Sequence, residues 1–190
     1  EVPPAALRPA VWRRLEHEIR VVRQGHIHAG ITGGALLFKL LMESRRDDLL
    51  ALMVGQTEYP GWGYMLQNGA TTLWEAWEYD RHSKLHSSYA YVGAWFIHGL
   101  LGIQASPDRP GFQTFDVHPA VLPDRETFWA RGHYDSLHGR IAVSSHQTPE
   151  THRLDVTVPP NTTARIHLPA RDSAGITEGG QPIMKDRAVK

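Results

Sequence analysis

The spacing of apolar residues changes near Gly102, and this change constrains the fold more than any other feature of the sequence. Before Gly102, apolar residues recur about once per helical turn, as at Val11, Leu15, Ile19 and Val22. After it, segments such as 112–117 alternate apolar and polar residues, as a half-buried strand does. The sequence therefore predicts a helical part followed by a strand-rich part.

Four helices are predicted in the first part, over 9–22, 34–44, 46–56 and 86–101. Gly25 follows the first helix as a C-terminal glycine does. Asp47 and Asp48 open the third, where the helix dipole favours acidic side chains. The segment from Tyr59 to Tyr64 holds one proline and two glycines, so we expect a shaped loop there and no helix.

Short strands at roughly ten-residue spacing predict an antiparallel β-sandwich in the second part. The expected strands cover 112–117, 128–134, 140–144, 154–158 and 164–168, and a hairpin is expected around Gly179 and Gly180, within Ile176 to Met184. The segment from Ser106 to Pro110 resembles a linker. We therefore divide the chain into a helical portion, 1–105, and a sandwich, 106–190. Few helices precede the linker and no closing strand follows the hairpin, so we expect both parts to pack against further chain.

Composition narrows the functional classes. Twenty Lys and Arg balance twenty Asp and Glu, which gives no electrostatic reason to expect nucleic acid or an anionic membrane as partner. No apolar run is long enough to cross a bilayer, and no signal peptide is visible at the first residues. The compartment stays open, since a signal upstream would not be seen. Cysteine is absent, which excludes disulfides, thiolate metal sites and cysteine nucleophiles.

The strongest catalytic candidate is Glu75, which lies between Trp74 and Trp77 after a run of Gly and Thr. A carboxylate beside indole rings is partly desolvated, and aromatic walls also stack on the apolar faces of sugar rings. This pattern suits a general base or a nucleophile in a carbohydrate site. The alternative is a helix-start glutamate flanked by packing tryptophans, with Glu78 as a competing carboxylate on the same helix face.

The histidines allow two further hypotheses. His26 and His28 have metal-ligand spacing in an extended segment, but no cysteine or obvious carboxylate completes a set, so we expect no metal and no cofactor. His86 lies near an expected helix start, where it could hydrogen-bond a ligand or a carboxylate. The alternative for His86 is a solvated loop residue.

These motifs together resemble glycoside hydrolase family 78, the bacterial and fungal α-L-rhamnosidases. The resemblance spans about residues 9 to 175 and is specific as a collinear set. The matching segments are 59–65, 69–77, 93–96, 110–112, 134–136, 139–141, 158–164 and 168–170. The sequence departs from the family pattern at His26 to Ile31, which leaves the exact sugar specificity and any role of His28 open.

The resemblance implies the last helices of an (α/α)6 barrel followed by a C-terminal β-sandwich. It implies an inverting exo-glycosidase that releases terminal α-L-rhamnose, with Glu75 activating water. His86 would contact the sugar, and Trp62, Trp74 and Trp77 would form its aromatic wall. The family's general acid lies in an Arg-Asp-Glu-rich segment with no match here. We therefore expect this chain to need the remainder of the barrel as a partner and to be inactive alone.

Two other functions remain open. One is a related (α/α)6 enzyme, either a phosphorylase or a different exo-glycosidase. A phosphorylase would need a basic phosphate pocket near the tryptophans, where only Arg81 and Lys84 are evident. A sugar-binding module without catalysis is the alternative outside the enzymes. Hydrolysis of an aryl rhamnoside by the full-length parent distinguishes these functions.

Overall fold

A computed structural model describes residues 3–78, 80, 83–122, 124–170 and 172–183. Among these residues every helix precedes Ile103 and every strand follows Leu100, as the change of apolar spacing predicts. After a short 3-10 turn, Ala5–Leu7, the helices are α1 (Arg8–His17), α2 (Ile31–Glu43), α3 (Asp47–Val54), α4 (Trp62–Gln67) and α5 (Val92–Ala94). Helices α1 and α5 continue as wider π-helical turns, over Glu18–Val22 and Trp95–Leu100.

The helical core is built around Phe38, Leu41, Leu49 and Leu50, which are fully buried. Helix α3 begins with Asp47 and Asp48, as predicted. Asp47 is itself buried, and its Oδ1 accepts a hydrogen bond of 3.0 Å from the indole nitrogen of Trp95. This bond ties the start of α3 to the last helical segment, far away in sequence.

The predicted loop over 59–64 and the predicted start of the fourth helix are both wrong. Trp62 to Tyr64 lie in helix α4, because the chain bends at Gly61 and a helix follows at once. Gly63 permits this: a Cβ at that position would lie 2.3 Å from the carbonyl oxygen of Gln56. The fourth helix begins at Val92 and not at His86: residues 88–91 form a turn, in which the carbonyl of Tyr89 accepts from the Trp62 indole, at 3.1 Å.

The strands form two three-stranded sheets and a hairpin, in the orders β1-β2-β6, β3-β4-β5 and β7-β8. Their bounds are β1 Ile103–Ala105, β2 Thr114–Val117, β3 Phe128–Ser136, β4 Gly139–Gln147, β5 His152–Thr157, β6 Thr163–Ile166, β7 Thr177–Glu178 and β8 Gln181–Pro182. All pairings are antiparallel except that of β2 with β6, which is parallel. The predicted antiparallel architecture therefore holds with one exception.

Side chains from both three-stranded sheets form the second core. Ile103, Phe115 and Val117 come from the first sheet, and Ile141 and Val143 from the second. The predicted hairpin at Gly179 and Gly180 is present, and both glycines have the positive φ that its tight turn requires. Met184, the expected end of that hairpin, lies outside the described residues.

The predicted linker from Ser106 to Pro110 is a turn inside the first sheet. Ser106 pairs with Arg109 in an isolated bridge, and the backbone N–H of Ser106 donates to the carbonyl of Thr114 at 3.2 Å. Strand β1 precedes this turn and pairs with β2. The division at 105/106 therefore stays a prediction, with β1 on the helical side of it and its strand partner on the other.

Candidate active site

Glu75, His86, Trp74 and Trp77 lie on the loop between helices α4 and α5, whereas Trp62 is the first residue of α4. Two backbone hydrogen bonds join the two arms of this loop: the N–H of Glu75 donates to the carbonyl of Ser83 at 3.0 Å, and the N–H of His86 donates to that of Leu73 at 2.9 Å. The hydroxyl of Thr72 also donates to the carbonyl of Lys84. The loop thus brings Glu75 and His86 onto facing, hydrogen-bonded segments, eleven positions apart in sequence.

Glu75 lies in a bend and not at a helix start, so the predicted helix over Glu75 and Glu78 is absent. The backbone of this stretch pairs with residues 83–86, which prevents it from forming the local hydrogen bonds of a helix. The prediction that Glu75 and Glu78 share one face of a helix is therefore wrong. The helix-start alternative for Glu75 falls with it.

The carboxylate of Glu75 is half-buried and is held by the main chain. Its Oε2 accepts a hydrogen bond of 3.1 Å from the backbone N–H of Ser83. For Oε1, the described part of the chain supplies no donor within hydrogen-bonding distance. Within the described residues, the arrangement anchors one carboxylate oxygen and gives the other no donor, which suits a group that must take a proton from water.

The competing carboxylate, Glu78, is in a different environment. It is exposed, and its Oε1 accepts from the hydroxyl of Tyr59 across 3.4 Å. Burial, with the nearby charge of Glu78, raises the pKa of Tyr59. Because its only described contact is a long bond to a phenol, Glu78 is less firmly oriented than Glu75.

The three tryptophans assigned to the sugar wall are all buried. Trp62, Trp74 and Trp77 are 7%, 3% and 8% exposed, which leaves little ring face for a ligand. Trp77 stacks on Tyr89 at 3.8 Å between ring centroids and meets Trp62 edge to face at 5.1 Å. This burial favours the alternative in which the indoles support the loop from below, and sugar contact by them stays a prediction.

Two polar atoms in this aromatic cluster lack a hydrogen-bond partner in the described structure. The indole nitrogen of Trp77 is buried without a hydrogen-bond acceptor, and so is the hydroxyl of Tyr91. Burial raises the pKa of Tyr91, so the hydroxyl stays protonated. Its ring packs so closely on Gly34 that an added Cβ there would meet the hydroxyl oxygen at 2.2 Å.

His86 is exposed, and its Nδ1 faces Ser88. The backbone N–H of Ser88 lies 3.0 Å from Nδ1, and the Ser88 hydroxyl is within hydrogen-bonding distance of the same atom. Sequence reasoning missed Ser83 and Ser88, because both act largely through backbone N–H groups that carry no residue signature.

The basic residues proposed for a phosphate pocket do not form one in the described structure. The ammonium group of Lys84 lies over the Trp74 ring, 3.8 Å from its centroid, in a cation–π contact. Arg81 lies outside the described residues. Nothing described therefore favours the phosphorylase alternative.

The metal hypothesis gains no support from the geometry. The Nδ1 of His26 lies 3.0 Å from the carbonyl of Arg23. Across the described ranges, no three histidine, aspartate or glutamate side chains come close enough together to hold a metal ion. Within those same ranges, no helix combines the length and the apolar composition that crossing a bilayer requires.

Comparison with known proteins matches both halves of the chain to one enzyme family. The model of the bacterial alpha-L-rhamnosidase 6 hairpin glycosidase domain matches residues 1–100, and that of the bacterial alpha-L-rhamnosidase C-terminal domain matches residues 102–182. The two matches meet where the helices give way to strands, so the family assignment and the fold agree.

Similar whole proteins are much longer than this chain. An alpha-L-rhamnosidase of Streptomyces avermitilis is 32% identical over 177 residues, which are 88% of this chain and 17% of that protein. One from an Alteromonas species is 32% identical over 87% of this chain and 19% of its own length. The chain thus spans less than a fifth of these relatives.

Solved structures resemble the fold over nearly the whole chain. An alpha-L-rhamnosidase from Dictyoglumus thermophilum superposes with a TM-score of 0.79 and 25% identity, covering 93% of this chain and 20% of that one. The Streptomyces avermitilis alpha-L-rhamnosidase complexed with L-rhamnose superposes with a TM-score of 0.77 and 29% identity, covering 93% of this chain and 19% of that one. By its family matches, its relatives and its fold, this chain belongs to the bacterial alpha-L-rhamnosidase family.

Proposed function

We propose that this chain supplies the water-activating carboxylate, Glu75, of an inverting exo-glycosidase that hydrolyses terminal α-L-rhamnose. The observation that carries the proposal is the environment of Glu75 in a chain of this family. One carboxylate oxygen is anchored by the Ser83 N–H, and its segment is hydrogen-bonded to the segment of His86. Enzymes of this class need one carboxyl group as acid and another as base.

The chemistry assigns a separate task to each oxygen of Glu75. In an inverting hydrolase the two carboxyl groups stand roughly 6.5–9.5 Å apart, so that a water fits between the base and the sugar. Oε1 takes a proton from this water, while Oε2 keeps its hydrogen bond to the main chain. A carboxylate anchored in this way accepts the proton without turning toward the sugar carbon.

We propose His86 as a sugar-binding residue. Its side chain is exposed at the loop surface and its backbone is hydrogen-bonded to the Glu75 arm, so it is positioned beside the same bound sugar.

For the tryptophans, the two possible roles, sugar contact and support of the loop, predict different kinetic effects of substitution. Removal of a sugar contact raises KM, whereas loss of support lowers stability together with kcat.

The general acid is proposed to lie in the remainder of the barrel. Apolar side chains stay exposed along the helices, including Val11 at 47%, Leu36 at 63% and Leu66 at 70%. Further helices that cover these side chains would complete the barrel and supply the acid across from Glu75. We therefore propose that this chain alone does not hydrolyse rhamnosides.

The test is steady-state kinetics of Glu75→Gln in the complete enzyme, with Glu78→Gln as matched control. Glutamine keeps an oxygen for the Ser83 N–H, so the fold should be preserved while the base is lost. We expect kcat on an aryl α-L-rhamnoside to fall about 10²–10⁴-fold, with KM little changed. Glu78→Gln should reduce kcat far less. Near-normal turnover by Glu75→Gln, or a larger loss in Glu78→Gln, would show that Glu75 is not the base.

A further inference from the structure

The hydrogen bonds at His86 determine which of its ring nitrogens carries the proton. A backbone N–H only donates, so the Ser88 N–H at 3.0 Å requires Nδ1 to accept through its lone pair. A neutral imidazole that accepts at Nδ1 carries its hydrogen on Nε2. The Ser88 hydroxyl lies within hydrogen-bonding distance of the same Nδ1 and reinforces this assignment when it donates.

Ser88 is itself held in place by the core of the helical half. It is 6% exposed, whereas the His86 side chain is exposed. The carbonyl of the next residue, Tyr89, accepts from the buried Trp62 indole at 3.1 Å. The turn is closed by the N–H of Ala90, which donates to the carbonyl of Ser87 at 3.0 Å. The donor to Nδ1 is therefore fixed by packing, and the opposite ring edge remains accessible.

We infer that Ser88 is a positioning residue that holds His86 as the Nε2–H tautomer, so that His86 presents a hydrogen-bond donor to an oxygen of the bound sugar. This inference rests on the proposed role of His86 in sugar binding. The opposite tautomer would present an acceptor and would bring Nδ1–H against the Ser88 N–H. Ser88 thus fixes both the orientation of the ring and the polarity of its sugar-facing edge.

The inference is tested by a double-mutant cycle in the complete enzyme, with an aryl α-L-rhamnoside as substrate. Ser88→Ala removes the hydroxyl contact to Nδ1 and keeps the backbone N–H, so it should lower kcat/KM about threefold to tenfold, as expected for loss of one hydrogen bond, with the same division between kcat and KM as His86→Ala. In the His86→Ala background, Ser88→Ala should have no further effect, because its target is gone. Ser88→Thr, which keeps a hydroxyl, should recover most of the loss.

The polarity of the histidine edge has its own test. The amide nitrogen of a glutamine reaches the position of Nε2, and that of an asparagine the position of Nδ1. We therefore expect His86→Gln to retain several-fold more kcat/KM than His86→Asn. This comparison does not depend on how well the buried Ser88 site accepts the methyl group of threonine.

The outcomes separate the inference from the proposed function. An equal loss from Ser88→Ala in both backgrounds, or no advantage of glutamine over asparagine, would overturn the role of Ser88 while leaving Glu75 as base. No loss from His86→Ala would overturn the sugar contact of His86 and the inference with it. A parent enzyme that leaves the rhamnoside intact would contradict the proposed function itself.

Discussion

Among the described residues, both the helical half and the sandwich leave large apolar side chains exposed, but the helical half leaves more of them. In the sandwich, both sheets turn apolar side chains toward a shared interior, and Ile103, Phe115 and Ile141 are fully buried. The helical half also has a fully buried core, around Phe38 and Leu50, yet it leaves Leu36 and Leu66 largely exposed. We therefore expect the remainder of the barrel to cover the half that carries the candidate chemistry.

This contrast assigns different tasks to the two regions. The Glu75 loop lies over an aromatic cluster, and its position depends on how that cluster packs. No residue of the sandwich takes part in the proposed chemistry. We therefore expect substitutions in the helical core to lower both stability and activity, and substitutions in the sandwich core to lower stability alone.

The largest expected effect comes from removing one large buried side chain from each core in turn. Phe38→Ala and Phe115→Ala should each lower the free energy of unfolding by about 3–5 kcal/mol, because both rings are fully buried. Phe38 also contacts Trp62 and Tyr91, at 5.3 and 5.0 Å between ring centroids, so its loss should lower kcat/KM even where the enzyme stays folded. Thermal unfolding and kinetics at a permissive temperature measure both. Equal losses of activity in the two variants would contradict the division of tasks.

A smaller effect should distinguish covered from free apolar surface. In the complete enzyme, Leu36→Gln should lower the free energy of unfolding by about 1–2 kcal/mol, because the remainder of the barrel is expected to bury this side chain. Leu137, 93% exposed at the β3–β4 turn, is the matched control, and Leu137→Gln should change stability by less than about 0.5 kcal/mol. Denaturant unfolding gives both values. An unchanged free energy of unfolding in Leu36→Gln would mean that no helix covers this side chain.

The same contrast predicts that this chain alone associates in solution. Its exposed helical side chains, Val11, Leu36 and Leu66 among them, form apolar surface that water does not favour. Sedimentation velocity should show self-association that weakens when Leu36 and Leu66 are both changed to Gln, and not when Leu137 is. A monodisperse monomer with a sharp unfolding transition would contradict the expectation of an incomplete barrel.

The smallest effect concerns an ion-pair cluster where the two parts meet. Arg46 bonds to both Glu16 and Asp48, at 2.7 and 2.9 Å, and Arg20 also contacts both carboxylates. Burial acts to raise the pKa of Asp48, but the hydrogen bond and charge of Arg46 outweigh it and leave that pKa below its usual value. The hydrogen bond from Arg46 likewise lowers the pKa of Glu16.

A lowered carboxyl pKa stabilises the fold at neutral pH, and the stabilisation is lost as pH falls through the folded-state value. Asp48→Asn should therefore cost ~1 kcal/mol near about pH 7, and the difference from the parent should shrink below about pH 4. Asp135→Asn, which removes an exposed pair with Arg140 on the sandwich, is the control and should shift Tm less. Thermal melts across this range test the sign. A difference that grows toward acid would contradict it.

The sequence predicts the order of helices and strands because apolar periodicity reports which faces are buried. It predicts the Gly179-Gly180 turn and the acidic start of α3 for the same local reasons. It does not predict that Glu75 lies outside a helix, since this depends on pairing with residues 83–86. Nor does it predict the turn over residues 88–91 that delays the last helix, where the Tyr89 carbonyl accepts from the distant Trp62 indole.

The candidate site shows the same limit. Glu75 and His86 can be identified from the residues around them and from the family resemblance. Their partners Ser83 and Ser88 cannot, because they act largely through main-chain N–H groups. For the tryptophans the sequence leaves two interpretations open, because a ring that lines a sugar site and a ring that supports a loop have the same spacing in sequence. Only burial, at 3% to 8% exposure, separates these two roles.

The most direct test of the central claim, that Glu75 activates water in an inverting hydrolase, is the configuration of the sugar as it is first released. Proton NMR of the complete enzyme on an aryl α-L-rhamnoside, in the first minutes before mutarotation, reads this configuration. We expect β-L-rhamnose, with the rate of its appearance reduced about 10²–10⁴-fold in Glu75→Gln. First release of α-L-rhamnose would contradict it, because retention requires a carboxylate that attacks the sugar.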